Sequence, residues 1–378
     1  MTASPVPAGR RSVAVVLPHR ERFEPAAAGA IASIVHRLVT NRSRYDAVVI
    51  GPRLGCPAFA GTRFVPVVAP RWMPLTPTQS YALVIARALA RLPPTSIEVF
   101  NKPDVASLLA RLFPRRPVVL FLQNDPRTMR GARTPRARTR LLKRLARVVV
   151  ASAFLRDAML DGVTVAPDQE PIVLHNSIGA AEIPTLLPMA ARERVLLFAG
   201  RVVPEKAPDA FVAACAIALP QLPGWRAEII GAAGFGAGSA ETSFIRSLRP
   251  TAEAAGVTMR GFMPQRAVMD EMARAAVVVV PSRWSEPFGL VALEAMACGA
   301  ALACSGRGGL SEVMGDCALE VDPDDVAGFA RVLVRLASDD ALRTALAGAG
   351  ILRAREQFDV SHSIARLDAL RDEIVSRV

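Results

Sequence analysis

Twelve short runs of β-branched and other apolar residues punctuate this chain, and Ala- and Leu-rich stretches of helical length separate most of them. Strands buried on both faces read as continuous apolar runs, and their alternation with helices specifies parallel sheets covered on both sides. The first seven runs are Val13–Leu17, Ala47–Ile50, Phe64–Val68, Ile97–Phe100, Val118–Leu122, Arg147–Ala151 and Ile172–Leu174. The pattern then restarts with Val195–Ala199, Arg226–Ile230, Val257–Met259, Val277–Val280 and Ala300–Cys304. Between the two series, Asn176–Arg194 has little strand character and reads as the interdomain connection. The expected fold is α/β, two tandem doubly wound Rossmann-like domains. The first spans 1–178 and the second 179–360, and a terminal helix over 361–378 is expected to pack back on the first. Ligands of such sheets bind outside the carboxyl ends of the strands, so the expected site is a cleft between the two domains.

At 378 residues the chain is long enough to bury two cores. Mean hydropathy is positive, +0.29, yet no run approaches the ~18 apolar residues of a spanning helix. Arg10-Arg11 ahead of Ser12–Leu17 resembles the start of an export signal, but the apolar stretch stops at Pro18-His19-Arg20 and reads as a buried first strand. The five cysteines (56, 215, 298, 304 and 317) are scattered, and the four histidines (19, 36, 175 and 362) share no ligand spacing. Neither a disulfide framework nor a metal site is indicated, and a cytoplasmic protein is expected.

The net charge of +12 is unevenly spread. Residues 1–180 hold 26 Lys/Arg against 10 Asp/Glu, whereas 181–378 hold 20 against 24. From Pro126 to Arg156 there is no acid, while Arg127, Arg130, Arg133, Arg136, Arg138, Arg140, Lys143, Arg144, Arg147 and Arg156 all fall there. Such a block suits an anionic membrane surface or a phosphorylated ligand; an ordinary solvated helix face is the alternative. Nucleic acid is not expected, because no aromatic lies between Pro126 and Val150 to stack bases.

The richest segment is Val277-Val-Val-Val-Pro-Ser-Arg-Trp-Ser-Glu286-Pro-Phe-Gly-Leu-Val-Ala-Leu-Glu294-Ala-Met-Ala-Cys-Gly-Ala300. It reads as a buried strand, a loop ending at Pro287-Phe288-Gly289, and a helix closed by Gly299. The first N–H groups of that helix, around Gly289 and Leu290, make an anion site, and Glu286 and Glu294 flank it with carboxylates suited to sugar hydroxyls.

Continued by Gly308-Gly309-Leu310-Ser311-Glu312-Val313, this segment resembles the donor-site signature of retaining glycosyltransferases of family 4, whose two Rossmann-like domains form the GT-B architecture. Phe198-Ala-Gly-Arg201-Val-Val-Pro-Glu-Lys206, Ile229-Ile-Gly231 and Val257-Thr-Met-Arg-Gly261-Phe-Met263 extend the resemblance over most of the second half. It implies that Arg201 and Lys206 contact the diphosphate of a nucleoside-diphosphate sugar, in place of a metal ion. It implies Glu294 on the ribose, Glu286 on the transferred sugar, and the Phe288–Leu290 backbone on phosphate and sugar. Gly231, Phe262 and Met263 would line the base pocket. Departure of a diphosphate builds negative charge that two fixed cations can stabilise.

In the first half, the loop from Leu17 to Ile31 resembles the family's phosphate-facing loop, with Gly29 opening a helix either to admit the diphosphate or for helix–sheet packing. Where related enzymes place histidine, this chain has Gln123, and Phe100 stands at a second such position. Glutamine is no general base, so that role falls to Asp125, to the donor's own phosphate, or to nothing. The implied activity is retaining, metal-independent transfer from a UDP-, GDP- or ADP-sugar to a lipid-linked or surface-polysaccharide acceptor, by a protein peripheral to the membrane. The alternative is a catalytically impaired sugar-nucleotide-binding or scaffold protein. Two decoys remain. Asp322-Pro-Asp324-Asp325 reads as a helix N-cap rather than a metal motif. Gly231-Ala-Ala-Gly234-Phe-Gly236-Ala-Gly238 lacks dinucleotide spacing and reads as a flexible loop.

Overall fold

The computed structural model describes residues 11–25, 28–70, 75–234 and 238–377. Gly236 of the glycine-rich loop therefore lies outside the described residues. The chain divides into two units, one of residues 1–176 with 360–378 and one of residues 177–359.

The first unit is built on β1 (Ser12–Val16), α1 (Ala30–Thr40), β2 (Asp46–Pro52), β3 (Arg63–Val67), α2 (Pro77–Arg91), β4 (Ser96–Phe100), α3 (Pro103–Leu112), β5 (Val118–Leu122), α4 (Pro135–Arg144), β6 (Arg147–Val150), α5 (Ala153–Leu160) and β7 (Ile172–Val173). The strands form one sheet in the order β3-β2-β1-β4-β5-β6-β7, and every pair is parallel. Strand order reverses between β1 and β4, the switch point at which such sheets open a crevice at their carboxyl edge. The central strands β4 and β5 are buried at every residue, which accounts for their unbroken apolar runs.

The second unit repeats the plan with β8 (Glu193–Ala199), α6 (Pro208–Ala218), β9 (Arg226–Ile230), α7 (Ser243–Ala254), β10 (Val257–Gly261), α8 (Gln265–Arg274), β11 (Ala275–Val280), α9 (Leu290–Ala297), β12 (Ala301–Cys304), α10 (Leu310–Met314), β13 (Ala318–Glu320), α11 (Val326–Ser338) and α12 (Asp340–Gln357). Its parallel sheet runs β10-β9-β8-β11-β12-β13, with the switch point between β8 and β11. The core packs Leu196, Phe198, Phe211, Ile229, Val277, Val279, Phe329 and Leu333 between the sheet and its helices.

All twelve apolar runs are strands. The thirteenth, β13, was not expected: it is three residues at the sheet edge with no fully buried position, and so carries no apolar run. The last helix, α13 (Val360–Ser376), belongs to the first unit. Its Arg371 forks onto Glu98 of β4 at 2.7 and 2.9 Å and bonds Asp368 at 3.1 Å, all three buried. Such a pairing favours one docking geometry, because Arg371 or Glu98 left without the other would be a buried charge without its ion-pair partner.

The arginine block is not one solvated face. Arg138 is 2% exposed and donates to the carbonyls of Met159, Ala132, Arg133 and Asp161, gathering backbone acceptors around α4 and α5. Arg127 pairs with Asp125, and Arg147 with Glu373. Arg136, Arg140, Lys143 and Arg144 remain exposed on α4, at spacings that put them on one helix face.

Candidate active site

In the second unit, the chemistry-bearing side chains gather where β8 and β11 end. Beyond β8 the chain passes Gly200 and Arg201 into a short 3-10 turn, Pro204–Lys206. Beyond β11 it passes Pro281 and Ser282 into the loop that leads to α9. Backbone bonds join the two loops, because the N–H groups of Arg283 and Trp284 both donate to the Glu205 carbonyl, at 2.9 and 3.4 Å. A third segment completes the frame: Glu286 N–H donates to Arg307, and Gly309 N–H to Glu286. Glycine is required there, since a Cβ on Gly308 would stand 2.5 Å from the Glu286 carbonyl oxygen.

Within this frame the Lys206 ammonium hydrogen-bonds Oε1 of Glu286 and lies 5.5 Å from the Trp284 ring centroid. Glu286 is 5% exposed, and its Oε1 also accepts from Ser282 Oγ at 2.5 Å. Arg201 is half-buried and has no ion-pair partner among the described residues. Glu294 is buried in α9. Gly289 caps α9 without a side-chain cap bond, so the first N–H groups of that helix, with Leu290 at its start and buried Phe288 just before it, can meet an anion. Gly231 donates its N–H to the Gly261 carbonyl at 2.8 Å, and Gly200 donates to Ile230 at 3.0 Å. Three glycines thus stand at the ends of adjacent strands β8, β9 and β10, with half-buried Phe262 and Met263 beside them. The cluster combines two cations, two buried carboxylates, an uncapped helix start and a side-chain-free shelf, a set able to take a diphosphate joined to a sugar and a flat base.

Asp322 and Asp324 are engaged by one arginine. Both accept from Arg307 at 2.8 Å, and Asp325 caps α11 through the Gly328 N–H at 2.9 Å. No group of three His, Cys, Asp or Glu among the described residues is placed to hold a metal ion.

In the first unit, several candidate residues have partners within the chain. Gly29 does precede α1, but the Glu21 carboxylate already lies at that helix start, accepting from Ala32 N–H at 2.9 Å. A Cβ on Gly29 would stand 2.7 Å from that carboxylate. The Ala32 N–H in the first turn of α1 is therefore engaged by the chain itself. Burial pushes the Glu21 carboxyl above its ordinary value, against the opposing pull of the Ala32 and Gly29 N–H groups. Asp125 is a poor proton acceptor. Burial works to raise its pKa, but the Arg127 side-chain and backbone hydrogen bonds outweigh it and hold the carboxyl below the usual range. Phe100 is a core residue, stacked on Phe121 with centroids 4.6 Å apart. Gln123 sits in an amide chain: its N–H donates to Asn101 Oδ1 at 2.7 Å, and its Oε1 accepts from Asn176 at 2.8 Å. Asn101 adopts φ +51°, a left-handed conformation that asparagine tolerates. On α4, Arg136, Thr139, Arg140, Lys143 and Arg144 line an open depression of about 550 Å³.

Sequence reasoning missed Ser282, Trp284 and Glu21. The signal for Ser282 was its position just beyond the buried β11 run and four residues before Glu286, inside a motif read for its acids and its helix start.

The family model of glycosyl transferases group 1 matches residues 183–353. A D-inositol 3-phosphate glycosyltransferase from Thermobispora bispora is 37% identical over 198 residues, 51% of this chain and 46% of that protein. The chain covers less than half the length of this and other relatives of that name. Among solved structures, sucrose-phosphate synthase from Thermosynechococcus elongatus superposes with a TM-score of 0.79 at 18% identity, over 97% of this chain and 100% of that one. Anabaena HepE in complex with UDP and glucose gives 0.76 at 19% identity, over 97% and 99%. The two Rossmann-like units have the GT-B fold, and the second contains the stretch that matches the glycosyl transferases group 1 model.

Proposed function

We propose that this chain moves a sugar from a nucleoside-diphosphate sugar to an acceptor, with retention at the anomeric carbon and without a metal ion. The observation that carries this reading is the cluster of Arg201, Lys206, Glu286 and the uncapped α9 start on loops tied together by backbone bonds. Arg201 and Lys206 receive the diphosphate, Glu286 the transferred sugar, and Glu294 the ribose. Gly231, Phe262 and Met263 border the base. The bond from the anomeric carbon to the diphosphate oxygen breaks as a bond to the acceptor oxygen forms on the same face. The acceptor proton passes to the departing phosphate. With Asp125 committed to Arg127 and Gln123 an amide, the leaving group is the base at hand. HepE, of the same fold, is described in complex with UDP and with UDP-glucose, which makes UDP-sugars the first donors to try.

The acceptor we assign is lipid-linked or a surface-polysaccharide precursor, reached at an anionic membrane surface through the exposed basic face of α4. No described helix is long and apolar enough to cross a membrane, and peripheral attachment at the inner membrane face follows from this reading. A second reading, a sugar-nucleotide binder without turnover, draws on the amide chain at Gln123, which offers no proton acceptor. A thermal-shift panel of UDP-, GDP- and ADP-glucose, followed by donor hydrolysis in excess EDTA, tests both. Binding with EDTA-resistant hydrolysis supports transfer. Binding without any turnover favours the second reading, and absence of binding rejects both.

A further inference from the structure

We propose that Ser282 is a positioning residue of the donor site, holding the Glu286 carboxylate in place when a diphosphate draws Lys206 away from it. This rests on the proposed donor reading and adds a residue that reading does not use. Ser282 lies just beyond β11, after Pro281, and is 1% exposed, so its hydroxyl is held in a buried loop start rather than carried on a mobile side chain. That hydroxyl donates to Oε1 of Glu286 at 2.5 Å, and the Lys206 ammonium bonds the same oxygen. Both side-chain donors therefore fall on Oε1, and Oε2 takes no hydrogen bond from a described residue. An ionised carboxylate can only accept, so the ligand group that Oε2 suits is a donor: a sugar hydroxyl, not a phosphate oxygen.

The two partners of Oε1 respond differently to a diphosphate. Lys206 is a flexible, partly exposed cation, and a group of higher negative charge competes with Glu286 for it. Ser282 is neutral, buried and short, so it cannot follow. Once Lys206 turns to the phosphate, Ser282 is the one described side chain still bonded to Glu286, alongside the backbone bonds from Glu286 to Arg307 and from Gly309 to Glu286. The carboxylate keeps its orientation. It is then free to take a hydroxyl of the transferred sugar on Oε2.

The prediction separates the sugar from the nucleotide. Calorimetric titration of the full chain with UDP and UDP-glucose, and with the GDP and ADP pairs, gives the increment that the glucosyl group adds to binding. In Ser282→Ala, affinity for the nucleotide alone stays within about twofold, whereas affinity for its glucosyl ester falls by about tenfold, the scale of one hydrogen bond to a charged group. Ser282→Thr, which keeps the hydroxyl, restores most of that loss. If Ser282→Ala does not fold, Ser282→Cys, with a weak donor of similar size, is read the same way. Nucleotide and glucosyl ester weakening together, or neither weakening, would overturn the assignment of Ser282 while leaving the donor reading intact. A wild-type chain that binds none of the three pairs overturns the donor reading and this inference with it.

Discussion

A Cβ on Gly231 would stand 1.8 Å from the carbonyl oxygen of Gly200. The two residues end adjacent strands of the second sheet, so the shelf beside Arg201 exists because neither carries a side chain. Gly231 also has φ +146°, where other residues are strained. Gly231→Ala combines a backbone clash with that strain and should cost about 3 kcal/mol or more, lowering Tm by roughly 6–12 °C in a unit of this size. Gly261→Ala is the internal control. Its φ is +76° but nothing lies within 4 Å of the added Cβ, so about 1–2 kcal/mol is expected. Equal melting shifts in the two variants would show that the Gly200 contact yields easily.

Arg201 and Lys206 should be separable by stability though not by activity. Each →Ala change removes a cation from the proposed diphosphate site and should lower kcat/KM roughly 30- to 1000-fold, the effect of about 2–4 kcal/mol. Arg201 has no ion-pair partner among the described residues, so its loss should leave the melting temperature unchanged. Lys206→Ala strips a donor from buried Glu286 and should cost about 1–3 kcal/mol in folding as well. Wild-type turnover in the Lys206 variant would remove it from the site.

Glu21 makes a pH prediction. Its folded-state pKa is raised by burial, so folding favours the protonated form. The stability this contributes is complete below the ordinary value of 4.5 and is lost as pH rises through the folded value. Glu21→Gln keeps an acceptor for Ala32 N–H without the charge. Its melting temperature should match wild type below about pH 4.5 and exceed it at neutral pH. A variant that is less stable at neutral pH would mean that the helix donors of α1 outweigh desolvation of the carboxylate.

The strands were legible because buried parallel strands leave unbroken apolar runs, and β13 escaped because an edge strand of three residues needs none. The second-unit site was legible because Glu286, Gly289 and Glu294 are close in the chain, so one loop and one helix start spell out the chemistry. Partner choice was not. Nothing local tells that Glu98 meets Arg371 across 273 positions, or that the acid at 21 accepts from the first turn of α1. Arg138 shows the same limit. In sequence it is one more cation of a basic block, and only the fold reveals that it turns inward to four carbonyls.

That distinction decides how the basic face of α4 is tested. Arg136, Arg140, Lys143 and Arg144 are exposed on one side of the helix and line its open depression. Sedimentation with vesicles containing anionic lipid should be strong at low salt and fall steeply towards ~0.5 M, where screening shortens to a few ångströms. Reversing these four to Glu should abolish sedimentation without lowering the melting temperature by more than a few degrees, since none of them is buried. Arg138→Glu must be kept out of that set. It would place a carboxylate against carbonyl oxygens in the interior, a change expected to cost at least about 3–5 kcal/mol and to unfold the first unit. Equal sedimentation with neutral and anionic vesicles, or an unchanged four-residue variant, would leave the face as solvated surface and withdraw the membrane-bound acceptor from the proposed function.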